Sequence, residues 1–506
     1  MAEIKIKPKF LFIHPQGENL GIEYLSAVLK MNKFEVELVF LPQPLSNVAF
    51  KLFGSSYSID EEKIKNKIDN FKPEIVCFSP FTSQYQWAVK QAEHIKKRYP
   101  SIFILFGGVH VNSVPNMVIK NPYVDAIIIG EADYQIVEFA KKFGSKELDT
   151  VASLWIKRGK KIIKNKLAQL PRDLDKLPFP DKDLFYSQIP KQLTNTTYMI
   201  IGSRGCPFAC TYCSNNVYKK LYSGQNRLRF RSPENIIKEL TEAQKKYHFR
   251  IVEFFDDVLT IDEERLRPLM KLYRKRVGLP FTCYLHPQLV TEKIIKLLKE
   301  SKCSWLKLGV QSANEEYRKR FLRRFESNED IIRASKFCHK YGLEFSLDHI
   351  FNLPGETEAD LIEAVKLYTI CRPTIINFGT LIYLPKTEII ALGLKHKILK
   401  QLDIKKINEG KDPVSMMANI DLFSYQYQRH KNVNISMYAL MLILTPIVPV
   451  WVINFLLKIK IYRMKRRVPK FILIFFKAIG KLKAKQLYIY NSVFKMIFYY
   501  TFRKND

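Results

Sequence analysis

Three cysteines lie close together, at Cys206, Cys210 and Cys213, in the segment RGCPFACTYCSNN, whereas the other cysteines of the chain are far apart. Thiolates are soft ligands, and a short loop can wrap three of them round one face of an iron-sulfur cluster. Structural zinc generally needs four protein ligands, and no fourth Cys or His follows nearby. Three thiols leave one iron open, as a reaction centre requires. The spacing therefore favours a catalytic cluster over zinc or three incidental thiols.

The elements before this loop alternate between apolar strand-like runs and helical patterns. The runs end in SPFTSQ, GGVH and GEAD, where small polar residues and glycines would let a ligand approach the backbone. This alternation predicts a doubly wound, Rossmann-like α/β domain whose ligand site lies at the carboxyl ends of the strands. Glycines at such turns are common, so these residues alone also fit a purely structural role.

The stretch at about 9–145 resembles the cobalamin-binding domain that precedes the core of class B radical S-adenosylmethionine (SAM) enzymes, above all in GGVH and VDAIIIGE. The Asp-x-His-x-x-Gly loop that ligates cobalt in many such domains is absent, and HPQGENLG stands in its place. The resemblance therefore implies cobalamin without a protein ligand to cobalt, and His14 is interpreted as a polar group at a strand end. The cofactor-binding residues that it implies are Ser79, Thr82, Gly107, Gly108, His110, Gly130 and Glu131.

The cysteine triad itself resembles the radical SAM signature, and LPGET downstream is a further match. The family core is a partial (β/α)6 barrel, and six strand-like runs between 198 and 385 follow its order. YMIIGSRG, the first of them, would deliver the cysteine loop at its carboxyl end, where barrel chemistry belongs. The resemblance implies a [4Fe-4S] cluster on Cys206, Cys210 and Cys213 and SAM on the open iron.

The same resemblance implies further residues that would bind SAM. Tyr212 would lie beside the adenine of SAM, and Asp256 and Asp257 would bind its amino group. Gln311 and Ser312 stand where the family usually has Glu-Ser near the ribose, and Gln loses the charge-assisted part of that hydrogen bond. The remaining implied residue, near the SAM carboxylate, is Arg324. A capping role for the two aspartates and a surface role for the arginine remain open alternatives.

Four regions are predicted along the chain. They are a cobalamin-binding-like domain at 1–145, a hairpin and proline-rich linker at 146–195, a radical SAM partial barrel at 196–390 and an α-helical tail at 391–506. Pro385-Lys386-Thr387 departs from the usual Pro-Gly-Thr after the sixth strand. The N-terminus has no apolar run, and scattered single cysteines suggest a reducing compartment.

Charge and apolar content point to a membrane surface. The chain has 82 Lys and Arg against 49 Asp and Glu, a net charge of +33, which favours anionic partners. Residues 437–457 carry no charge, and 458–506 carry 14 Lys and Arg with one acid. A membrane span, a re-entrant segment and a surface anchor on the cytoplasmic face are all compatible with this pattern, as is a buried helix pair packed on the barrel. The high aliphatic content of the tail argues against nucleic-acid binding.

These observations favour an enzyme that cleaves SAM to a 5′-deoxyadenosyl radical and methylates an unactivated carbon of a hydrophobic or lipid-like substrate. An external electron donor such as a flavodoxin or ferredoxin would reduce the cluster. Radical cyclisation, oxidation or carbon-carbon coupling with the same cofactors is the alternative reaction. An inactive cobalamin- or redox-sensing protein is the alternative class, although the intact triad argues against it. A tRNA-modifying enzyme would be expected to carry further domains that this chain does not show.

Overall fold

The computed structural model describes residues 7–15, 17–41, 57–189, 197–411, 433–464 and 467–469, with the short pieces 472–473, 475–476 and 479–480. Within these ranges the chain forms an α/β domain, a second α/β domain and a helical C-terminal region. The predicted fold class is thus confirmed. The basic segment after residue 480, on which part of the membrane prediction rests, lies outside the described residues.

The N-terminal domain is a seven-stranded sheet with helices on both faces. Its strands are β1 Phe10–Pro15, β2 Val36–Leu41, β3 Ile75–Phe78, β4 Phe103–Phe106, β5 Ala126–Ile128, β6 Leu154–Arg158 and β7 Lys161–Lys164. Its helices are α1 Leu20–Met31, α2 Tyr57–Phe71, α3 Tyr85–Arg98, α4 Gly108–Ser113, α5 Pro115–Lys120 and α6 Gln135–Lys142. The spatial order is β2-β1-β3-β4-β5-β6-β7.

The first five strands are parallel and almost wholly buried, which explains their continuous apolar runs. Helices α1 and α6 pack on one face of the sheet, and α2, α3 and α5 pack on the other. The predicted hairpin within 154–166 is present as β6 and β7, but β6 pairs antiparallel with β5. The sheet therefore continues past residue 145, and the hairpin extends the first domain rather than standing in a separate linker.

The second domain begins after a linker that contains α7 Asp183–Tyr186. Its parallel sheet consists of β8 Thr197–Ile200, β11 Ile251–Phe254, β12 Phe281–Leu285, β13 Cys303–Gln311, β14 Phe345–Phe351 and β15 Ile375–Thr380. These six strands adjoin one another in chain order, as a partial barrel requires. A short antiparallel ribbon, β9 Ser203–Arg204 with β10 Arg229–Phe230, lies beside the cysteine loop.

The helices of this domain alternate with the strands. They are α8 Ser214–Leu221, α9 Pro233–Lys246, α10 Glu263–Arg276, α11 Glu292–Glu300, α12 Glu315–Tyr317, α13 Asn328–Lys340, α14 Glu358–Cys371, α15 Ile389–Lys395 and α16 Gln401–Asn408. Capping boxes start α13 at Ser327 with Asp330 and α14 at Thr357 with Asp360, so local sequence fixes where both helices begin. One face of every strand packs on these helices in a single core.

The C-terminal region consists of α17 Ile435–Leu444 and α18 Val450–Lys458. Helix α17 is buried against α14 and β15 and belongs to the core of the second domain. Its apolar composition is therefore explained by packing, as the alternative of a buried helix pair predicted. The uncharged stretch 437–457 is not one long helix, and in the described ranges no helix has the length and apolar content of a membrane span.

Candidate active site between the two domains

The cysteine loop leaves β9 at the carboxyl end of the first barrel strand and ends where α8 begins. Gly205 has a φ of +90°, and a Cβ atom there would overlap the carbonyl oxygen of Arg227, so the chain needs glycine at this turn. Cys206, Cys210 and Cys213 are all free thiols. In the part of the chain that the structure describes, no three His, Cys, Asp or Glu side chains converge to hold a single metal ion. The three thiols of the loop are soft ligands of the kind that an iron-sulfur cluster takes, so the residues present fit such a cluster.

Burial controls the protonation of these thiols. It raises the pKa of Cys206 to about 12 and that of Cys213 to about 11. Both groups are therefore neutral at physiological pH until a metal displaces their protons. A thiolate that coordinates iron no longer carries an isolated buried charge, so the low-polarity environment favours the loaded loop over a deprotonated empty one.

Arg324 lies directly against the cysteine loop. Its Nη1 is 3.7 Å from the Sγ atom of Cys210 and 3.4 Å from the hydroxyl of Tyr212. Its Nε donates to the Glu326 carboxylate at 2.7 Å, and its Nη2 donates to the Gly309 carbonyl at 2.5 Å. Arg324, predicted to lie near the SAM carboxylate, is thus held by protein groups beside Cys210, and it is buried rather than at the surface. A guanidinium in this position would stabilise negative charge on the Cys210 sulfur.

The sequence analysis did not identify the aromatic contact that supports the loop. The Phe208 ring stacks on His286 with 3.8 Å between the ring centroids. His286 Nε2 is 3.3 Å from the carboxylate of Glu326, the same residue that binds Arg324. Burial and then the charge of Arg324 lower the pKa of His286 to about 2, so the imidazole is neutral. The spacing of CPFAC gave no sign of a partner that far along the chain.

Asp256 and Asp257, predicted together as SAM-binding residues, point in different directions. Asp256 is buried and accepts hydrogen bonds from the Gly202 amide at 3.1 Å and from the Ser203 hydroxyl. Burial raises its pKa to about 6. Asp257 instead lines the cavity between the domains and interacts with the side chain of Asn215. Of the pair, only Asp257 is placed to meet a ligand directly, and Asp256 fixes the backbone that leads into the cysteine loop.

A cavity of about 460 Å³ lies between the carboxyl ends of the two sheets. It brings together five of the residues predicted to bind cobalamin and the region that follows the cysteine loop. The five are Ser79, Gly107, Gly108, Gly130 and Glu131. From the second domain, Arg204, Asn215 and Asp257 reach the same space. One cavity therefore joins the predicted cobalamin site to Asp257 and to the start of α8, which directly follows the cysteine loop.

Two glycines form a cradle in this cavity. Gly108 and Gly130 both have a φ of +85°, a conformation that disfavours other residues. A Cβ atom on Gly108 would come within 2.6 Å of the Ser79 Oγ, and one on Gly130 would overlap the Tyr222 hydroxyl. Both positions therefore need glycine because Ser79 and Tyr222 pack directly against them. Both glycines also line the cavity, where they present backbone without a side chain, so the residues present fit a corrin cofactor.

Thr82 and His110, also predicted to bind the cofactor, lie outside this cavity lining. His110 is fully buried, stacks on Tyr85 with centroids 4.2 Å apart, and has its Nδ1 3.2 Å from the Thr82 hydroxyl. Burial lowers its pKa to about 3. His14 is likewise buried, edge-on to Phe185, and burial lowers its pKa to about 4. Neither histidine is placed to reach a ligand in the cavity.

Gln311 and Ser312 stand at the carboxyl end of β13, as the resemblance predicts. Gln311 has a φ of +70° and its side chain is partly exposed on the barrel side. Ser312 is buried, and its carbonyl accepts a hydrogen bond from Arg318 Nη1 at 2.6 Å. A strained backbone of this kind often occurs at a ligand site, but the contact of either residue with SAM stays a prediction.

A network of ion pairs joins the two domains beside the cavity. Arg204, two residues before Cys206, contacts Asp133 through both terminal nitrogens at 2.7 and 3.0 Å and contacts Glu131 at 2.8 Å. Arg229 binds Glu131 from the other side, and the Tyr218 hydroxyl donates to Glu131 at 2.7 Å. Burial acts against these charges, but the two arginines hold the pKa of Glu131 below its usual range. The network fixes the cysteine loop against the cradle, and sequence analysis identified only Glu131 of it.

The LPGET loop contains a buried acid whose titration should be measurable. Glu356 accepts a hydrogen bond from the Asn352 amide at 2.9 Å, and burial raises its pKa to about 8. The folded state then holds this proton when the unfolded state has released it. Stability should therefore be full below pH 4.5 and should fall as the pH rises from 4.5 through 8, by at most about 1.4 kcal/mol per pH unit.

We expect Glu356→Gln to remove this dependence, because the amide stays neutral throughout. Thermal unfolding at pH 5.5, 6.5, 7.5 and 8.5 measures it, with exposed Glu264→Gln as the matched control. The melting temperature of the wild type and the control should fall more steeply with pH than that of Glu356→Gln. Parallel curves for all three proteins would contradict the assignment.

Comparison with known proteins gives two family matches. Residues 13–140 match the B12 binding domain, and residues 200–368 match the radical SAM superfamily. The two matches correspond to the two α/β domains described above. The glycine cradle lies in the first match, and the cysteine triad, Asp256, Asp257, Gln311, Ser312 and Arg324 lie in the second.

Several curated proteins are similar over most of their length. An uncharacterized methyltransferase, PH0819, of Pyrococcus horikoshii is 25% identical over 353 residues, which cover 69% of this chain and 72% of that protein. The anaerobic magnesium-protoporphyrin IX monomethyl ester cyclase of Rubrivivax gelatinosus is 22% identical, with 79% and 72% covered. The hopanoid C-3 methylase of Methylococcus capsulatus is also 22% identical, with 75% and 71% covered.

Among solved structures, the cobalamin-dependent SAM radical enzyme OxsB with aqua-cobalamin bound superposes with a TM-score of 0.66. The superposition covers 97% of this chain and 81% of that chain at 15% identity. At this identity the likeness supports the fold, including the order of the two domains.

Proposed function

Because the chain belongs to the cobalamin-binding radical SAM enzymes, we propose that it methylates an unactivated carbon of a hydrophobic, lipid-like substrate. The observation that carries this proposal is the single cavity shared by the glycine cradle and the loop after the cysteine triad. A substrate between the two sites would be within reach of both cofactors. When bound, the [4Fe-4S] cluster, SAM and cobalamin supply hydrogen abstraction and a methyl group.

The residues of this chain have supporting roles in that reaction. The three cysteines would hold the cluster, Arg324 would stabilise charge on Cys210, and Asp257 is placed to bind a ligand in the cavity. The ion pairs of Arg204 keep the two domains in register, and closure of the cavity by both domains would limit the access of water. An external electron donor such as a flavodoxin or ferredoxin would reduce the cluster.

Anaerobic turnover with labelled SAM tests the reaction. Reconstituted protein should form 5′-deoxyadenosine when reduced, and the product of a lipid mixture should gain a labelled methyl group, a mass increase of one CH2. Absence of 5′-deoxyadenosine under reducing conditions would contradict the assignment as an enzyme and would favour an inactive cobalamin- or redox-sensing protein.

The similarity to a cyclase supports a second candidate function, radical cyclisation or oxidation. That reaction would give 5′-deoxyadenosine with a loss of hydrogen from the product and no transferred label.

The proposal of a lipid-like substrate is supported by an apolar face on α18, which we call the α18 patch. Trp451, Phe455 and Ile459 follow one another at intervals of four, and the side chains of Trp451 and Phe455 are 70% and 54% exposed. Exposed Lys458 and Lys460 border the patch. An apolar helix face with cations at its edge suits the interface of an acidic membrane, where it would lie flat rather than span.

We expect the α18 patch to bind the protein to anionic vesicles, placing it at the cytoplasmic face of the membrane. Trp451→Ser with Phe455→Ser should weaken binding to vesicles of 70% phosphatidylcholine and 30% phosphatidylglycerol by at least about tenfold, since each buried aromatic contributes about 2 kcal/mol. Co-sedimentation measures the affinity. The control is Met31→Ser with Leu402→Ser, which removes two similarly exposed apolar side chains elsewhere. An equal loss of vesicle affinity in both double variants, or no vesicle binding by the wild type, would refute membrane binding by the α18 patch.

A further inference from the structure

The inner face of the partial barrel carries a row of polar side chains, which we call the inner row. Each of five adjoining strands, from β11 to β15, contributes one member. The members are Glu253, Tyr284, Lys307, Asp348 and Asn377. None of these residues has a role in the function proposed above.

The direction of the inner row follows from the residues beside it. The chain neighbours Phe254, Cys283, Leu306, Leu347 and Ile376 are at most 2% exposed and pack in the core beneath the helices. Because successive side chains of a strand point to opposite faces, the inner row faces the barrel interior. All its members are partly exposed. The interior is therefore open to a ligand instead of being filled by branched apolar side chains, as in a closed barrel.

The charges of the inner row are unequally paired. The Lys307 Nζ atom lies 2.5 Å from the Glu253 carboxylate and 2.9 Å from the Tyr284 hydroxyl, so its charge is already matched. The Asp348 carboxylate accepts one hydrogen bond from the Asn377 amide at 3.0 Å, and among the described residues no other hydrogen bond to it is recorded. Burial raises the pKa of Asp348 in spite of the Asn377 hydrogen bond and the nearby charges of Lys307 and Arg324, so the carboxylate can still take up a hydrogen-bond donor. A ligand that donates a hydrogen bond would meet this need.

Asp348 lies at a height in the barrel that is close to the cysteine loop. It is paired in register with Gly309 of the neighbouring strand. The Gly309 carbonyl accepts a hydrogen bond from Arg324, and Arg324 in turn lies 3.7 Å from the Cys210 sulfur. Adjacent strands are about 4.8 Å apart, so Asp348 lies one strand away from Gly309, whose carbonyl binds the arginine beside Cys210. A molecule bound at Asp348 would be close to the reaction centre.

We infer that the inner row binds the polar end of the substrate and that Asp348 accepts a hydrogen bond from its hydroxyl or protonated amine group. This inference rests on the proposed function, since it describes the substrate of the same site. Together with a lipid-like remainder, it makes the substrate amphiphilic. Lys307 already donates to Glu253, so a carboxylate end would face the like charge of the Asp348 carboxylate and would be disfavoured.

Calorimetric titration of the protein reconstituted with cluster and cobalamin tests this inference. The probes are 1-hexanol, hexylammonium, methyl hexyl ether and hexanoate, which share an apolar chain and differ in the polar end. Hexanol and hexylammonium should bind at least tenfold more tightly than the ether and hexanoate. Asp348→Leu should remove this preference. Asp348→Asn, which keeps an acceptor oxygen without the charge, should weaken hexylammonium by at least tenfold and hexanol by less.

The exposed Glu264→Gln serves as the control for loss of a carboxylate and should leave all four titrations unchanged. The Asn variant preserves shape, so the test stands even if the Leu variant does not fold. Equal binding of all four probes, or a preference that survives in Asp348→Asn for both donors, would overturn the inference. Binding of the probes does not require turnover. Loss of the predicted binding preference would therefore refute only this inference, whereas absence of 5′-deoxyadenosine or of methyl transfer would refute the proposed function.

Discussion

Protein with Cys206, Cys210 and Cys213 all replaced by alanine should hold no cluster iron after anaerobic reconstitution. The wild type should bind about four irons per chain and give a paramagnetic signal on reduction. The expected loss is complete, because in the described chain the cysteine loop offers the only three thiols in one short loop. Without a cluster, no 5′-deoxyadenosine should form. Iron analysis, visible absorption and electron paramagnetic resonance measure these outcomes.

The matched control for this experiment is Cys77→Ala. Cys77 belongs to the core of the first domain and is a single thiol there, whereas a cluster needs several thiolates. The control should keep the full iron content. Far-ultraviolet circular dichroism of the triple variant should match that of the unloaded wild type. Four irons retained in the triple variant would show that the cluster is held elsewhere.

Arg204→Met should destabilise the protein by about 3 kcal/mol and weaken cobalamin binding. The substitution keeps the length of the side chain but leaves Asp133, which is 4% exposed, without its bidentate partner. Removing one partner of a buried ion pair typically costs about 3–5 kcal/mol, because the remaining charge stays desolvated. Glu131, which lines the cavity next to Gly130, also loses one of its two arginines. Calorimetric unfolding and titration with cobalamin measure the two effects.

A double variant separates the ion pair from a general effect of the substitution. Asp133→Asn combined with Arg204→Met should cost less than the sum of the two single changes, because both remove the same interaction. The exposed ion pair of Arg267 with Glu263 provides the control. Arg267→Met should change the free energy of unfolding by less than about 1 kcal/mol. Arg204→Met as stable as this control, with unchanged cobalamin affinity, would contradict the role of the network.

The sequence predicted the features that depend on residues close together in the chain, namely ligand spacing and hydrophobic periodicity. The spacing of Cys206, Cys210 and Cys213 indicated a metal centre by itself, and alternating apolar runs indicated the N-terminal α/β domain, whereas the barrel was predicted from the family resemblance. The contacts that define the interface were not predictable, since Arg204 and Asp133 are 71 residues apart. Nothing near either residue distinguishes it from a surface charge. The same holds for Phe208 and His286, whose stacking depends on the packing of β12 against the loop.

The sequence also could not predict the direction in which side chains point at the ends of strands. Asp256 and Asp257 are adjacent, yet one turns back to the Gly202 amide and the other faces the cavity. His110 belongs to the GGVH motif that was correctly placed at a strand end, but its ring packs on Tyr85. A motif thus located the edge of the sheet, while tertiary packing decided which of its side chains reach a ligand.

The burial of α17 in the second domain bears on how the chain is made. The core of the first domain draws its last residues from the stretch ending near Phe185, so this domain can fold while the ribosome is still translating the barrel. The core of the second domain includes Tyr438, Leu442 and Leu473, close to the end of the chain. For most of synthesis the emerging barrel therefore lacks part of its hydrophobic core, and the apolar surface that α17 will cover stays exposed. A chain cut near residue 420 would keep that exposed surface permanently, and we expect it to be cleared by proteases rather than released as a soluble enzyme.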